Sequence, residues 1–288
     1  MSNHNNRARQ NKNDEFHTSY KDVEKELQNY SEYFRGKIVY CPCDSDQSPF
    51  VRYFMENFEK LGLMGLTYSG YDNNGFSNIG SSMGDSKFTK ILKDKDLGDF
   101  RGVYGKIYMD LCDVVVTNPP FSLGRKFMQQ VFDYKKDYLV IGPLNWIPNP
   151  VIAKEVLKNN CRAGVNNGTK EFTLPDGTTQ KLGNCVWYTN LPTPEKASLP
   201  LQDIPLSEYQ RYDNYPDNYV EIGRVSKLPQ KCEEILGVPL SYFTKHNPDD
   251  FEIVGFDEGV WQDKPFGHHC CIDEKEKFRR IFIQHKNR

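Results

Sequence analysis

Four consecutive residues, Asn118-Pro119-Pro120-Phe121, have the chemistry to hold an amino group that projects from a planar ring. They follow an apolar run at 114–117 and precede a stretch with helical period, so a buried strand should end here in a tight turn. The prolines hold φ at about −65° and carry no N–H, which leaves the Asn118 side-chain oxygen and the Pro119 carbonyl as acceptors. Phe121 adds a flat face on which a planar ring can stack.

The same tetrapeptide has a plainer interpretation, as a rigid turn between a strand and a helix with a buried phenylalanine. Its position directly after four β-forming residues, 114–117, favours the chemical interpretation. Tetrapeptides of this kind at a strand end are typical of amino-group methyltransferases that use S-adenosylmethionine, and this one resembles the adenine form. These four residues are therefore the predicted catalytic residues.

The tetrapeptide lies in a region where strands and helices alternate. Ser48, Pro49 and Gly62 have the types expected at the N-cap, the first position and the end of one helix. Alternation of this kind predicts an α/β fold, with a mostly parallel sheet and helices on both faces. The apolar pattern predicts strands at 37–41, 63–68, 114–117 and 138–141.

Outside this region the pattern changes. A stretch rich in glycine, serine and asparagine, 75–87, is predicted to be an exposed loop. The sequence also predicts a hairpin at 172–179, with its turn at Asp176-Gly177. Later strands are expected at 185–189, 251–256 and 280–284.

We predict three parts of the chain: a disordered tail at 1–13, a catalytic domain at 14–191 and a C-terminal region at 192–288. Within the last part, 192–250 is rich in proline, tyrosine, aspartate and asparagine and has little periodicity. This stretch is our candidate for target recognition, together with closing strands. The alternative is a lobe that only supports the sheet.

Three acidic residues follow or precede the predicted elements where a ligand should bind. Ligands of an open α/β sheet lie outside the carboxyl ends of its strands, which points to Asp44, Asp72 and Asp99. Three carboxylates suit a nucleoside-like ligand: one near an ammonium, one near ribose hydroxyls and one near an adenine amino group. Each aspartate alone could equally cap a helix or a turn.

Composition limits the classes of protein to which the chain can belong. With 288 residues, 38% of them hydrophobic, it can form one large domain or a domain with an appended lobe. It has no apolar run near the ~20 residues that cross a bilayer, and no secretory signal. Eight cysteines without a C-x-x-C pair indicate a reduced, cytoplasmic protein. The cluster at 268–271 lacks ligand spacing, so no metal is predicted.

Because the net charge is −2, a surface that binds nucleic acid would have to be locally basic. Each candidate is also compatible with an ordinary solvated face. The candidates are Arg125-Lys126, Lys135-Lys136, 154–162, Arg279-Arg280, Lys286 and Arg288.

Across nearly its whole length the chain resembles the EcoRI-type family of adenine-specific DNA methyltransferases. The resemblance implies a Rossmann-like methyltransferase domain, S-adenosylmethionine as methyl donor, and a flipped-out adenine of double-stranded DNA as acceptor. By matching position it puts Phe16 and Thr18 at the N-terminal cofactor motif, and Asp44 and Asp99 in the cofactor pocket. A monomer is expected. The stretches that carry the resemblance include 14–18, 39–44, 98–101, 115–122, 140–145, 187–191, 212–215, 237–239 and 247–253.

Two departures from the family pattern concern the cofactor. The glycine-rich loop of most such enzymes is absent, since 42–46 reads Pro-Cys-Asp-Ser-Asp, and His17 stands where an aromatic residue is expected. The acceptor also stays open: cytosine N4, RNA adenine or a protein glutamine would suit the same tetrapeptide. A further alternative is a degenerate methyltransferase fold that serves as a binding module.

Overall fold

The computed structural model of the chain describes residues 17–71, 77–84, 89–91, 97–173, 178–230, 232–257 and 269–286. Contacts divide the chain into two compact units, Met1–Pro143 with Gly164–Thr193, and Leu144–Ala163 with Pro194–Arg288. The functional limits 14–191 and 192–288 stay a prediction. Among the described residues, no helix is long and apolar enough to cross a membrane.

The elements are numbered in chain order. The helices are α1 (Tyr20–Leu27), α2 (Pro49–Glu56), α3 (Phe58–Leu61), α4 (Val103–Leu111), α5 (Gly124–Asp133) and α6 (Pro150–Leu157). The strands are β1 (His17–Thr18), β2 (Ile38–Pro42), β3 (Gly65–Tyr71), β4 (Ser77–Met83), β5 (Thr89–Ile91), β6 (Val114–Thr117), β7 (Asp137–Pro143), β8 (Arg162–Ala163), β9 (Lys170–Thr173), β10 (Thr179–Leu182), β11 (Cys185–Thr189), β12 (Tyr219–Glu221), β13 (Ile235–Pro239), β14 (Phe251–Phe256), β15 (Cys271–Ile272), β16 (Lys275–Glu276) and β17 (Arg280–His285).

The first unit is built on a mixed sheet with a parallel centre. Its strands follow the order β5-β4-β3-β2-β6-β7-β11. The pairs β3–β2, β2–β6 and β6–β7 are parallel, whereas β4, β5 and β11 pair antiparallel. The predicted α/β fold and its parallel core are confirmed, and the antiparallel edges are an addition. Since β3 ends at Tyr71 and β4 begins at Ser77, the connection is too short for a parallel crossover.

The helix that follows β2 begins and ends as the sequence predicts. The Ser48 hydroxyl accepts a hydrogen bond from the Val51 N–H at 3.2 Å, and Pro49 occupies the first turn of α2. Gly62 ends the following helix, α3, with φ 62°, a left-handed conformation that a glycine adopts without strain. The single helix expected here is divided in two at Asn57. These caps fix where the chain leaves β2 and re-enters the sheet at β3.

The exposed loop predicted at 75–87 is wrong for 77–83, which forms β4. Ser77, Asn78 and Ser82 are buried on this strand. A Cβ atom at Gly80 would overlap the ring of Tyr68, so glycine is required for β4 to lie against β3. The small residues that look like a loop in the sequence therefore serve close packing between strands.

The hairpin predicted at 172–179 is present as the antiparallel pair β9–β10, and its predicted turn lies outside the described residues. The strands predicted at 185–189, 251–256 and 280–284 are also present.

The second unit has its own sheet, in the order β12-β13-β17-β14. The sequence did not predict β12 and β13. A buried ion pair joins β12 to β17: the Arg280 guanidinium donates to both Glu221 oxygens at 2.7 and 2.9 Å, and the Tyr212 hydroxyl also bonds Glu221. Both charged side chains are at most 10% exposed. Such a pair is costly to break because the remaining charge stays buried.

We expect Glu221→Gln to lower the free energy of unfolding by about 3–5 kcal/mol, because it leaves the Arg280 charge without its counter-ion. Glu234→Gln is the matched control, since Glu234 pairs with the half-exposed Arg211 at 3.7 Å and should contribute less than ~1 kcal/mol. Urea unfolding of both variants measures the difference. Equal losses would contradict a structural role for the buried pair.

Candidate active site

A cleft in the first unit lies where β2, β3 and β6 end. It holds about 870 Å³ of empty space, part of which is open to solvent. Phe121 does not line it, and Phe16 and Asp72 lie outside the described residues. The cleft brings together six of the residues predicted from the sequence, namely Thr18, Asp44, Asp99, Asn118, Pro119 and Pro120.

The tetrapeptide sits where the sequence predicts it. The buried strand β6 ends at Thr117, the chain turns through Asn118-Pro119-Pro120, and a 3-10 turn at Phe121–Leu123 leads into α5. Asn118 and Pro120 are partly exposed and Pro119 is buried. The turn thus places Asn118, Pro119 and Pro120 on the wall of the cleft, at the carboxyl end of a central parallel strand, where ligands of α/β sheets bind.

Phe121 belongs to the packing beside the cleft. Its ring is partly buried and meets the buried ring of Phe172 at 6.3 Å between centroids with an interplanar angle of 86°. This is an edge-to-face contact of the kind that fixes the position of both rings. The stacking role of Phe121 stays a prediction.

Asp44 is the most deeply buried acid of the cleft, with 5% of its surface exposed. The Thr117 hydroxyl donates to its Oδ2 at 2.6 Å. Burial raises the pKa of Asp44 to about 7, although hydrogen bonds from Thr117 and Ser48 act in the opposite direction. The carboxyl group therefore changes charge near neutral pH.

Two glycines allow backbone segments beside the cleft to lie in close contact. A Cβ atom on Gly70, in β3, would lie 2.5 Å from the Asp44 carbonyl oxygen and 2.8 Å from the Asp44 nitrogen. A Cβ atom on Gly98 would overlap the Gly70 carbonyl oxygen. Sequence analysis gave neither glycine this role, and Gly70 lies beyond the strand predicted at 63–68, although β3 includes it.

Asp99 is held by a neighbouring cation. The Arg101 guanidinium donates to both Asp99 oxygens, at 2.6 Å from Nη2 and 2.9 Å from Nε, and its backbone N–H adds a third bond. Burial alone would raise the pKa of Asp99, but the bonds from Arg101 outweigh it, so this pKa is lowered. Arg101 lines the cleft as well, and sequence analysis gave it no role.

Thr18 contributes a buried hydroxyl group to the cleft. The residue is 1% exposed and lies on β1, which pairs with β9. Its hydroxyl has no hydrogen-bond partner among the described residues. A buried hydroxyl facing a cleft without a partner is available to a ligand.

Apolar rings complete the wall of the cleft. Phe50, Tyr71 and Phe100 line it, and Phe100 meets Phe127 of α5 edge to face at 5.1 Å. Flat apolar surfaces next to a few polar groups are typical of sites for small organic ligands. The arrangement suits a ligand with a planar ring, a hydroxylated part and a cationic group.

Two of the basic residues considered for nucleic-acid contact bond to other parts of the protein. Arg280 is buried in its pair with Glu221, and the Lys136 ammonium donates to the carbonyls of Asp110 and Cys112. Arg125 and Lys126 are exposed at the start of α5. They remain the basic pair nearest in sequence to Asn118.

We expect Gly70→Ala to lower the free energy of unfolding by about 1–3 kcal/mol, because its Cβ atom must displace the Asp44 backbone. Gly183→Ala is the control, since a Cβ atom there would meet only the Thr169 hydroxyl, at 3.7 Å. Thermal unfolding of the two variants makes the comparison. A Gly70→Ala protein as stable as Gly183→Ala would show that the contact is not tight.

We expect Asp44→Asn to stabilise the unliganded protein in a pH-dependent way. Because the folded-state pKa of Asp44 is raised from 3.8 to about 7, its favourable contribution is complete below pH ~4 and is lost as the pH rises through about 7. Each pKa unit corresponds to about 1.4 kcal/mol. The amide does not ionise, so the gain should amount to a few kcal/mol at about pH 8 and vanish at about pH 4.

Melting temperatures of the wild type, Asp44→Asn and Asp46→Asn measure this effect. Asp46, two residues further on, is only partly buried and accepts a bond from Asn78 at 2.9 Å. A gain for Asp44→Asn that is the same at low and high pH would argue against the raised pKa.

Comparison with known proteins identifies the family of the chain. The family model of the EcoRI adenine-specific methyltransferase matches residues 4–96 and 80–287. The chain is 32% identical to the type II methyltransferase M.EcoRI of Escherichia coli, over 97% of this chain and 95% of that protein. It is 30% identical to M.MgeORF184P of Mycoplasma genitalium (87% of this chain, 85% of the relative) and to M.MpnI of Mycoplasma pneumoniae (86% and 84%), both type II methyltransferases.

No solved structure matches the chain. The family match spans nearly all of the sequence. The chain therefore belongs to the EcoRI-type family of adenine-specific methyltransferases and is a methyltransferase enzyme.

Proposed function

We propose that the protein transfers a methyl group from S-adenosylmethionine to N6 of a flipped-out adenine in double-stranded DNA. The observation that carries the proposal is that the Asn118-Pro119-Pro120 turn shares one cleft with Asp44, Asp99 and Thr18. A methyl acceptor and a methyl donor must meet in one site, and this cleft offers polar groups for both. Family membership supports adenine as the acceptor.

The residues of the cleft fit S-adenosylmethionine. The cleft contains a buried carboxyl group and a buried hydroxyl that lacks a partner among the described residues. Asp44 would hold the ammonium, Asp99 the adenine amino group, and Thr18 a further polar group of the cofactor. When bound, the cofactor supplies an electrophilic methyl group on a sulfonium.

Asn118 and Pro119 would prepare the target amino group. The adenine N6 is a poor nucleophile because its lone pair is delocalised into the ring. Hydrogen bonds from its two N–H groups to the Asn118 amide oxygen and the Pro119 carbonyl favour tetrahedral geometry, which localises the lone pair. Both acceptors are neutral, so the residues position the group rather than remove its proton, which leaves to water after transfer.

An adenine inside a duplex cannot reach such a turn, so the base must rotate out of the helix. Phe121 lies beside the cleft against Phe172 and is partly exposed, and its exposed part would stack on the extruded ring. Arg125 and Lys126, exposed one turn later, would contact phosphates. Residues 192–250 would read the target sequence. A single chain is sufficient for this proposal.

The test is methyl transfer from labelled S-adenosylmethionine to mixed double-stranded DNA, followed by nucleoside analysis. We expect label in N6-methyladenine. Label in N4-methylcytosine, or in RNA or protein instead of DNA, would contradict the proposed acceptor. A chain that does not bind the cofactor at all would contradict the proposed activity and support a binding module.

We expect Asn118→Ala to lower turnover at least ~100-fold, since it removes one of the two acceptors that position the amino group. Folding and cofactor affinity should stay close to those of the wild type, because Asn118 lies on a turn rather than in the sheet. Turnover near the wild-type value would remove Asn118 from the catalytic role.

A further inference from the structure

Thr117 connects the two halves of the proposed site. It is the last residue of β6, directly before Asn118, and is fully buried. Its hydroxyl oxygen lies 2.6 Å from Oδ2 of Asp44 and is also within hydrogen-bond contact of the Pro42 carbonyl oxygen, at the end of β2. A hydroxyl carries one hydrogen and therefore donates to one of these oxygens at a time.

The protonation of Asp44 decides which arrangement satisfies both contacts. If Asp44 is neutral, its own O–H donates to Thr117 and the Thr117 hydroxyl donates to Pro42, so each close contact contains a hydrogen. If Asp44 is ionised, the Thr117 hydrogen must turn to the carboxylate, and the Pro42 carbonyl loses its bond from Thr117. The two states thus differ in the direction of one buried hydroxyl.

We propose that Thr117 is a positioning residue that works as a hydroxyl switch between Pro42 and Asp44, so that cofactor binding is coupled to the loss of a proton from Asp44. The proposal rests on the proposed function, because the cofactor ammonium provides the charge that favours ionised Asp44. On binding, the O–H bond of the Asp44 carboxyl group breaks, its proton leaves to solvent, and the Thr117 hydrogen turns to the carboxylate. The switch lies next to Asn118 in the chain.

The surroundings of Asp44 make this response occur near neutral pH. No charged side chain of the described residues dominates its titration; burial raises the pKa of Asp44 to about 7, and the hydroxyls of Thr117 and Ser48 lower it. Across the cleft, the charges of Asp99 and Arg101 are paired with each other. The other titratable groups around the site are Cys41, Cys43 and Asp46 of the same segment and Tyr71 of β3.

The test uses Thr117→Val, which keeps the shape of the side chain and removes the hydroxyl, and Thr117→Ser as the matched control that keeps it. The affinity for S-adenosylhomocysteine, a stable probe with the same amino acid and nucleoside parts, is measured by calorimetry between about pH 5.5 and pH 9. Buffers with different ionisation enthalpies give the number of protons released. The α-amino group of the probe titrates at about 7.7–8.0. Its contribution to the pH dependence of binding is the same for every variant, and binding to Asp44→Asn measures that contribution alone.

For the wild type we expect affinity to rise by up to about tenfold per pH unit below about pH 7, with up to one proton released. Thr117→Val removes an acceptor from the neutral acid and a donor from the carboxylate, and the bond to the carboxylate is the stronger of the two. The rise in affinity should therefore move to higher pH, and the affinity at neutral pH should fall about tenfold, with recovery at high pH. Thr117→Ser should follow the wild type.

Three outcomes overturn the proposal. The first is a Thr117→Val profile that coincides with that of the wild type. The second is a loss of affinity that is equal at every pH, which indicates a merely structural role. The third, which needs no change at Thr117, is wild-type binding without proton release beyond that of Asp44→Asn. If the wild type binds and transfers methyl groups in any of these cases, the proposed function stands; if it never binds the probe, both fail.

Discussion

The contact between Gly70 and the backbone of Asp44 is the constraint on which the site depends. It lets the segment after β2 lie directly on β3, where any side chain at position 70 would meet main-chain atoms. Gly98 then lies on the Gly70 carbonyl and brings Asp99 to the same cleft. Backbone cannot give way as a flexible side chain can, so these contacts fix the spacing of the two acids.

The two acids reached in this way have opposite electrostatic surroundings. Asp99 is neutralised by a bidentate guanidinium, whereas Asp44 is buried and solvated by hydroxyl groups. Asp99, which already has a counter-ion, can still accept hydrogen bonds from a ligand. Asp44 has no counter-ion among the described residues, so its negative charge can attract a cationic group of the ligand. The cost of keeping Asp44 buried weakens the unliganded fold at neutral pH. Residues that serve a site often reduce stability in this way.

The sequence was sufficient to predict those features of the structure that depend on neighbouring residues alone. The cap at Ser48, the left-handed Gly62 and the apolar run of β6 each follow from one or a few neighbouring residues. It was insufficient to predict features that depend on a contact with a residue distant in the sequence. Ser77 to Met83 looks like a loop because the sequence does not reveal that Tyr68 requires a glycine opposite it.

The roles of Gly70 and Arg101 were not predicted for the same reason, because those roles depend on contacts that only the folded chain makes. An isolated glycine in a strand or an arginine after an aspartate is common, and only the fold brings them to one cleft. The tetrapeptide could be recognised because its chemistry is complete within four residues. A site composed of single residues from several segments has no such local pattern, and in this chain the resemblance to a family supplied what spacing could not.

The position of Thr117 also gives a physical reason for asparagine, rather than aspartate, at 118. Thr117 is hydrogen-bonded to a buried carboxyl group, and the next residue in the chain carries the side chain that holds the target amino group. A carboxylate at 118 would add a second negative charge to the cleft that Asp44 lines, and the two would titrate as a coupled pair. The proton that Asp44 must lose for the cofactor would then be harder to release. A neutral amide at 118 keeps the acceptor oxygen without that coupling. The charge of Asp44 can then change when the cofactor binds without altering the hydrogen bonds of Asn118 to the target amino group.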